Sequence, residues 1–131
     1  MSITKEKTKH IDELYFELQL WIKEIKFYKD ELVVFNKRLG EVGEKYTNKE
    51  VLAKLEQFQN QFILQNEVAD TLLHDLKEQE STLAETAKEF SVAIDHRSFS
   101  DHPIMRDRMD SFVKIYRELR NDYMRFLSGV M

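Results

Sequence analysis

The chain contains no cysteine. Disulfides, thiolate zinc sites, iron–sulfur clusters and cysteine nucleophiles are thereby excluded. The same lack fits a reducing compartment, so a cytoplasmic location is the expectation. Proline occurs once and glycine three times in 131 residues, while 34% of the residues are charged. So few chain breakers amid so much charge favour long helices over a sheet. The longest aliphatic or aromatic run, Leu32-Val33-Val34-Phe35, falls far short of the ~20 residues that cross a bilayer. The opening Met1-Ser2-Ile3-Thr4-Lys5-Glu6-Lys7 has no apolar stretch, so no signal peptide is expected. A net charge of −4 argues against a general binder of phosphate backbones. The length suits a single domain spanning residues 1–131.

The apolar residues recur every seven positions. In the first helix, placed at about 4–39, Ile11, Leu18, Ile25, Leu32 and Leu39 occupy a, and Leu14, Trp21, Tyr28, Phe35 and Val42 occupy d. A period of 3.5 keeps one seam against a partner when helices supercoil left-handedly. Gly40 or Gly43 is the expected stop. Thr47-Asn48-Lys49-Glu50 reads as a capping box with Thr47 as N-cap. A second helix at about 48–95 then carries Leu55, Phe62, Ala69, Leu76, Leu83 and Phe90 at a. Thr82-Leu83-Ala84-Glu85 offers a second capping box, and hence an alternative break near Ser81. The segment from His96 to Pro103 reads as the next turn. It precedes a third helix at about 102–128 with Met105, Phe112, Leu119 and Phe126 at d and Met109, Tyr116, Tyr123 and Val130 at a. Short turns make sequential helices antiparallel neighbours. The expected fold is all-α: an antiparallel three-helix coiled-coil bundle.

The three lengths do not match, at roughly 55, 70 and 40 Å for 1.5 Å per residue. The third helix would then fall short of the first turn. The hairpin end around Val33, Phe35, Val51, Phe58 and Phe62 would be two helices thick, which favours pairing into a homodimer. Charge is uneven as well. Residues 48–102 carry five basic and eleven acidic groups, and residues 103–131 carry six basic and four acidic. Attraction between the second and third helices is therefore expected, set against the plainer reading of solvated faces.

The first helix has a second apolar stripe. Phe16, Leu20, Phe27 and Val34 lie at f, c, c and c, about 180° from the a/d seam at 100° per residue. Three readings compete: scattered surface apolars, burial against another chain, and burial against the third helix in a flatter arrangement. Burial against another chain is the preferred one. These four residues are the candidate interaction surface, with self-association first and another protein second.

Chemistry is sparse. Asp70, His74 and Glu78 share one helix face with Glu67 a turn back, but no histidine has glutamate three residues before it, as helical di-iron sites require. His96 and His102, beside Asp95 and Asp101, bracket the expected 95–102 turn, where the plainer reading is capping. A metal- or ligand-binding bundle using the His74 face or that turn is the alternative function. The phosphate-loop, G-x-S-x-G and H-E-x-x-H signatures are missing. Arg106, Arg108, Lys114, Arg117, Arg120 and Arg125 make the last helix basic, but its aromatics sit at a and d, where packing claims them first. The expectation is a non-catalytic interaction or scaffolding bundle with no catalytic residues, cofactor or metal, and with neither nucleic acid nor membrane as partner.

Overall fold

A computed structural model describes the backbone of residues 2–89 and 92–130 and the side chains of residues 11–85 and 101–130. Three helices account for it: α1 (Ser2–Lys45), α2 (Lys49–Glu89) and α3 (Val92–Val130). The molecule is an all-α three-helix bundle. Phe35 packs on Phe62 and Lys29 pairs with Asp70, so α1 and α2 run antiparallel. Glu17 meets His102 while Tyr123 reaches the Phe35 carbonyl, so α1 and α3 run parallel. Among the described residues no helix is long and apolar enough to cross a membrane.

The seven-residue rows are the core. Ile11, Leu18, Ile25, Leu32 and Leu39 are all buried, as are Tyr28, Phe35 and Val42 in the row beside them. On α2 the buried row includes Phe62, Ala69, Leu76 and Leu83, and on α3 Met109, Tyr116 and Tyr123. Phe90 lies outside the described residues.

The helix boundaries differ from the sequence expectation, and each difference has a local cause. α1 does not stop at Gly40 or Gly43 but continues to Lys45. Val42 is buried one heptad beyond Phe35, and Gly43 lies against Leu55, whose Cδ1 would stand 3.7 Å from a β-carbon there. Burying Val42 offsets the ~1 kcal/mol that each interior glycine costs. The cap of α2 is Asn48 rather than Thr47: the Glu50 amide donates to Asn48 Oδ1 at 2.8 Å. No break occurs near Ser81. Thr82 donates its hydroxyl back to the Glu78 carbonyl at 3.0 Å, a bond made inside a continuing helix.

The largest correction concerns the second turn. Residues 92–130 form one helix with Pro103 inside it, so no turn lies at 95–102. The buried a row of α3 extends one heptad back from Met109 to His102, which anchors the segment that carries the proline. The helices are consequently near equal at 44, 41 and 39 residues, or roughly 60 Å each. The thin hairpin end does not exist. Phe58 and Phe62 pack against Tyr123, Phe58 also meets Phe126, and the Tyr46 hydroxyl bonds the Val130 carbonyl. Val33, expected in that seam, points to solvent instead.

A proline in a helix interior removes one backbone hydrogen bond and crowds the preceding turn. Pro103→Ala is accordingly expected to stabilise the protein by about 1–3 kcal/mol in urea unfolding. Destabilisation would instead mean that Pro103 shapes a required bend.

Candidate interaction surface

The four stripe residues are all exposed: Phe16 62%, Leu20 51%, Phe27 57% and Val34 64%. They run along the side of α1 opposite Leu18, Ile25 and Leu32. The arrangement in which α3 covers them does not form. From Phe16 to Val34 the stripe extends about 27 Å at 1.5 Å per residue. At its N-terminal end Phe16 and Leu20 border a groove between α1 and α2 whose rim includes Lys23, Lys26 and Lys77.

What decides the charge of this face is where the glutamates of α1 point. Glu17, Glu24 and Glu31 follow one another at seven-residue intervals, between the core seam and the stripe. Glu17 accepts from His102 Nε2 at 2.5 Å and from Arg106 at 2.6 Å. Glu31 accepts the Tyr116 hydroxyl at 2.5 Å, with Arg120 at 3.6 Å. Glu24 accepts the Tyr28 hydroxyl at 2.8 Å. The basic residues of α3 thus meet the acids of α1 as well as those of α2, where Arg108 pairs with Asp75 at 2.8 Å. With these glutamates turned inward, the exposed charged residues between Phe16 and Lys37 are Lys23, Lys26, Asp30 and Lys37. Over that stretch the outer face of α1 is apolar with three exposed lysines against one aspartate, whereas Glu13, exposed seven residues before Leu20, leaves its N-terminal end acidic.

His102 is the buried polar residue in this network, 2% exposed. Its ring stacks on Trp21 with centroids 4.9 Å apart, and the Arg106 guanidinium lies 6.0 Å over the same indole. Its Nδ1 has no hydrogen-bond partner among the described residues. Counting back seven from Met109 reveals His102 as a core position, a signal that reading a turn there hides. On a continuous helix the His96 and His102 backbone positions differ by about 9 Å of rise and about 240° of rotation. The His96 side chain lies outside the described residues. Burial raises the tyrosines of this interface: Tyr116 is pushed up further by Glu31, and Tyr123 to about 12. Both stay protonated and donate.

The His74 face assembles differently from expectation. Asp70 is drawn away by Lys29, and Asp75 takes its place. Ligand atoms of His74, Asp75 and Glu78 lie within 4.8 Å of one another. Burial raises the Asp75 carboxyl, but hydrogen bonds from Arg108 and His74 outweigh this and hold it below its ordinary value.

A second apolar surface escaped the sequence reading. Leu64 and Val68 on α2 and Ile104 and Ile115 on α3 are exposed. Val68 and Ile115 border a groove of about 350 Å³ floored by Leu72 and Phe112. Val68 lies outside the a row, so only the position of α3 reveals that it flanks a groove. No protein-family model, curated protein or solved structure matches this chain significantly.

Burial raises the Glu17 carboxyl, but the hydrogen bonds and charges of His102 and Arg106 outweigh it and lower the pKa. A depressed carboxyl contributes stability that is present above its unfolded value, about 4.3, and lost as pH falls through the folded value. The unfolding midpoint should therefore fall as pH drops from the neutral range into the acid side of that value. Glu17→Gln should lose less over the same interval. An equal decline in both proteins would remove Glu17 from the acid response.

Proposed function

We propose that this chain is a non-catalytic interaction module whose contact surface is the α1 stripe of Phe16, Leu20, Phe27 and Val34. Self-association is its first use, with a homodimer as the smallest assembly, and another helical protein is its second. The observation that carries this reading is the exposure of four apolar side chains on one face of a helix whose opposite face is already fully used in the core. A helix with apolar seams at both a/d and c/f has one seam more than its own bundle can cover. Contiguous exposed apolar patches on soluble proteins mark interaction sites more often than chance. The c-row spacing of seven residues, from Leu20 through Phe27 to Val34, suits heptad pairing with another helix.

Light scattering across a dilution series tests it. Phe27→Asp should lower the mass of the assembly towards that of one chain while helicity and unfolding midpoint stay near the wild-type values. An associating protein whose mass ignores the substitution would sink the reading. So would unfolding of the variant, since the residue would then belong to the core.

A second reading rests on the clustering of His74, Asp75 and Glu78, which presents one imidazole and two carboxylates along one helix face. Divalent transition metals take such ligands. Calorimetric titration with zinc should then show stoichiometric binding that His74→Ala abolishes, and a flat titration of the wild type retires the idea.

A further inference from the structure

We infer that a divalent transition-metal ion binds between His74 Nε2 and Glu78, and that Asp75 is not a ligand but the carboxylate that orients the imidazole through Nδ1. The inference rests on the metal reading proposed above and names which atoms of that cluster take the ion.

His74 and Glu78 are four residues apart, so their side chains are neighbours on one face of α2. Nε2 of His74 lies 3.6 Å from Glu78 Oε1. Two ligand atoms held about 2.1 Å from a tetrahedral ion stand about 3.4 Å apart. The pair therefore has close to the separation that one ion needs.

The other ring nitrogen is engaged differently. Nδ1 hydrogen-bonds Asp75 Oδ1 at 3.3 Å. Burial raises the Asp75 carboxyl, but Arg108 and His74 outweigh this and hold it lowered. Asp75 is then an ionised carboxylate at neutral pH, which can only accept, so Nδ1 carries the proton. In the neutral ring the Nε2 lone pair is left beside a second carboxylate. Two electron-rich groups meet there. A metal ion between them relieves the repulsion while the ring stays neutral, as metal binding requires.

α3 supplies the support. Arg108 pairs with Asp75 Oδ2 at 2.8 Å, which leaves Oδ1 for the ring. A metal-bound imidazole almost always donates its other N–H to an oxygen acceptor, often a carboxylate that fixes the ring and strengthens it as a ligand. The chain from Arg108 through Asp75 to His74 has that form. The local charges agree. Arg108 offsets Asp75, Asp70 is engaged by Lys29, and Lys77 borders the groove on the α1 side. Glu78 is left to meet the ion. His74 and Glu78 are both exposed, so water completes the coordination. An imidazole, a carboxylate and water suit zinc.

The test is zinc titration of the full chain by calorimetry, with nitrogen-15 NMR of the His74 ring in the zinc-loaded protein. Wild type should take one equivalent of zinc, and His74→Ala and Glu78→Ala should each abolish binding. Asp75→Ala should keep one equivalent but weaken it about tenfold. The His74 ring should carry the metal on Nε2 and the proton on Nδ1. Circular dichroism checks that each variant keeps its helices. A proton found on Nε2, or zinc binding that survives Glu78→Ala and is abolished by Asp75→Ala, overturns this assignment and leaves the metal reading standing. Unchanged affinity in Asp75→Ala overturns the orienting role of that carboxylate. A flat wild-type titration, or binding that survives His74→Ala, overturns the inference together with the reading beneath it.

Discussion

The whole bundle depends on the unbroken seven-residue apolar row of α1. Leu18, Ile25 and Leu32 are almost wholly buried, and so are the residues that face this row, among them Ala69, Leu76 and Leu83 of α2 and Met109, Tyr116 and Tyr123 of α3. Each heptad repeats the same contact, so α2 and α3 are drawn along the full length of α1 instead of crossing it at one point. The buried leucine and isoleucine side chains each contribute on the order of 1.5–3 kcal/mol relative to exposure. That is more than the local cost of a glycine, and comparable with that of an interior proline. This ordering of magnitudes explains why α1 passes through Gly40 and Gly43, and why α3 carries Pro103.

Polar interactions decide the arrangement of the helices around that row. α1 and α3 approach through long side chains, with Glu17 and Glu31 reaching His102, Arg106, Tyr116 and Arg120. Exposed ion pairs contribute little by themselves. Here the carboxylates also accept hydrogen bonds from partly or fully buried donors, and such charge-assisted bonds are the stronger kind. The Tyr123 hydroxyl adds a bond to the Phe35 carbonyl at 3.0 Å, which ties the parallel pair near its C-terminal end. The same interactions shape the outside. Every glutamate turned towards α3 is one fewer negative charge beside Phe16, Leu20 and Phe27, so the assembly of the core sets the sign of the exposed face.

The sequence made the rows legible because burial follows a period that needs no knowledge of neighbours. Leu20, Phe27 and Val34 could be read as outward-facing for the same reason: once the seam is known, the opposite face of α1 follows by rotation. The ends of the helices were harder. Gly40, Gly43 and Pro103 are breakers by local preference, and their preference is overridden by the burial of Val42 and His102, which depends on other helices being in place. Reading a turn at 96–103 hid His102 as a core residue and made α3 too short, and the short helix in turn suggested an end left two layers thick. The groove beside Val68 and Ile115 was invisible for a different reason. It belongs to neither helix alone, and it exists only once α2 and α3 lie side by side.

An odd number of near-equal antiparallel helices places the two termini of the described chain at opposite poles. α3 finishes beside the first turn, where Tyr46 meets Val130, and α1 begins towards the opposite pole. The poles are about 60 Å apart. Anything joined to one end would be held at that distance from anything joined to the other. Tension between the ends would load α1 and α3 in shear along their shared length. Many lateral contacts would then resist together, where an even-numbered bundle pulled at one pole would open contact by contact.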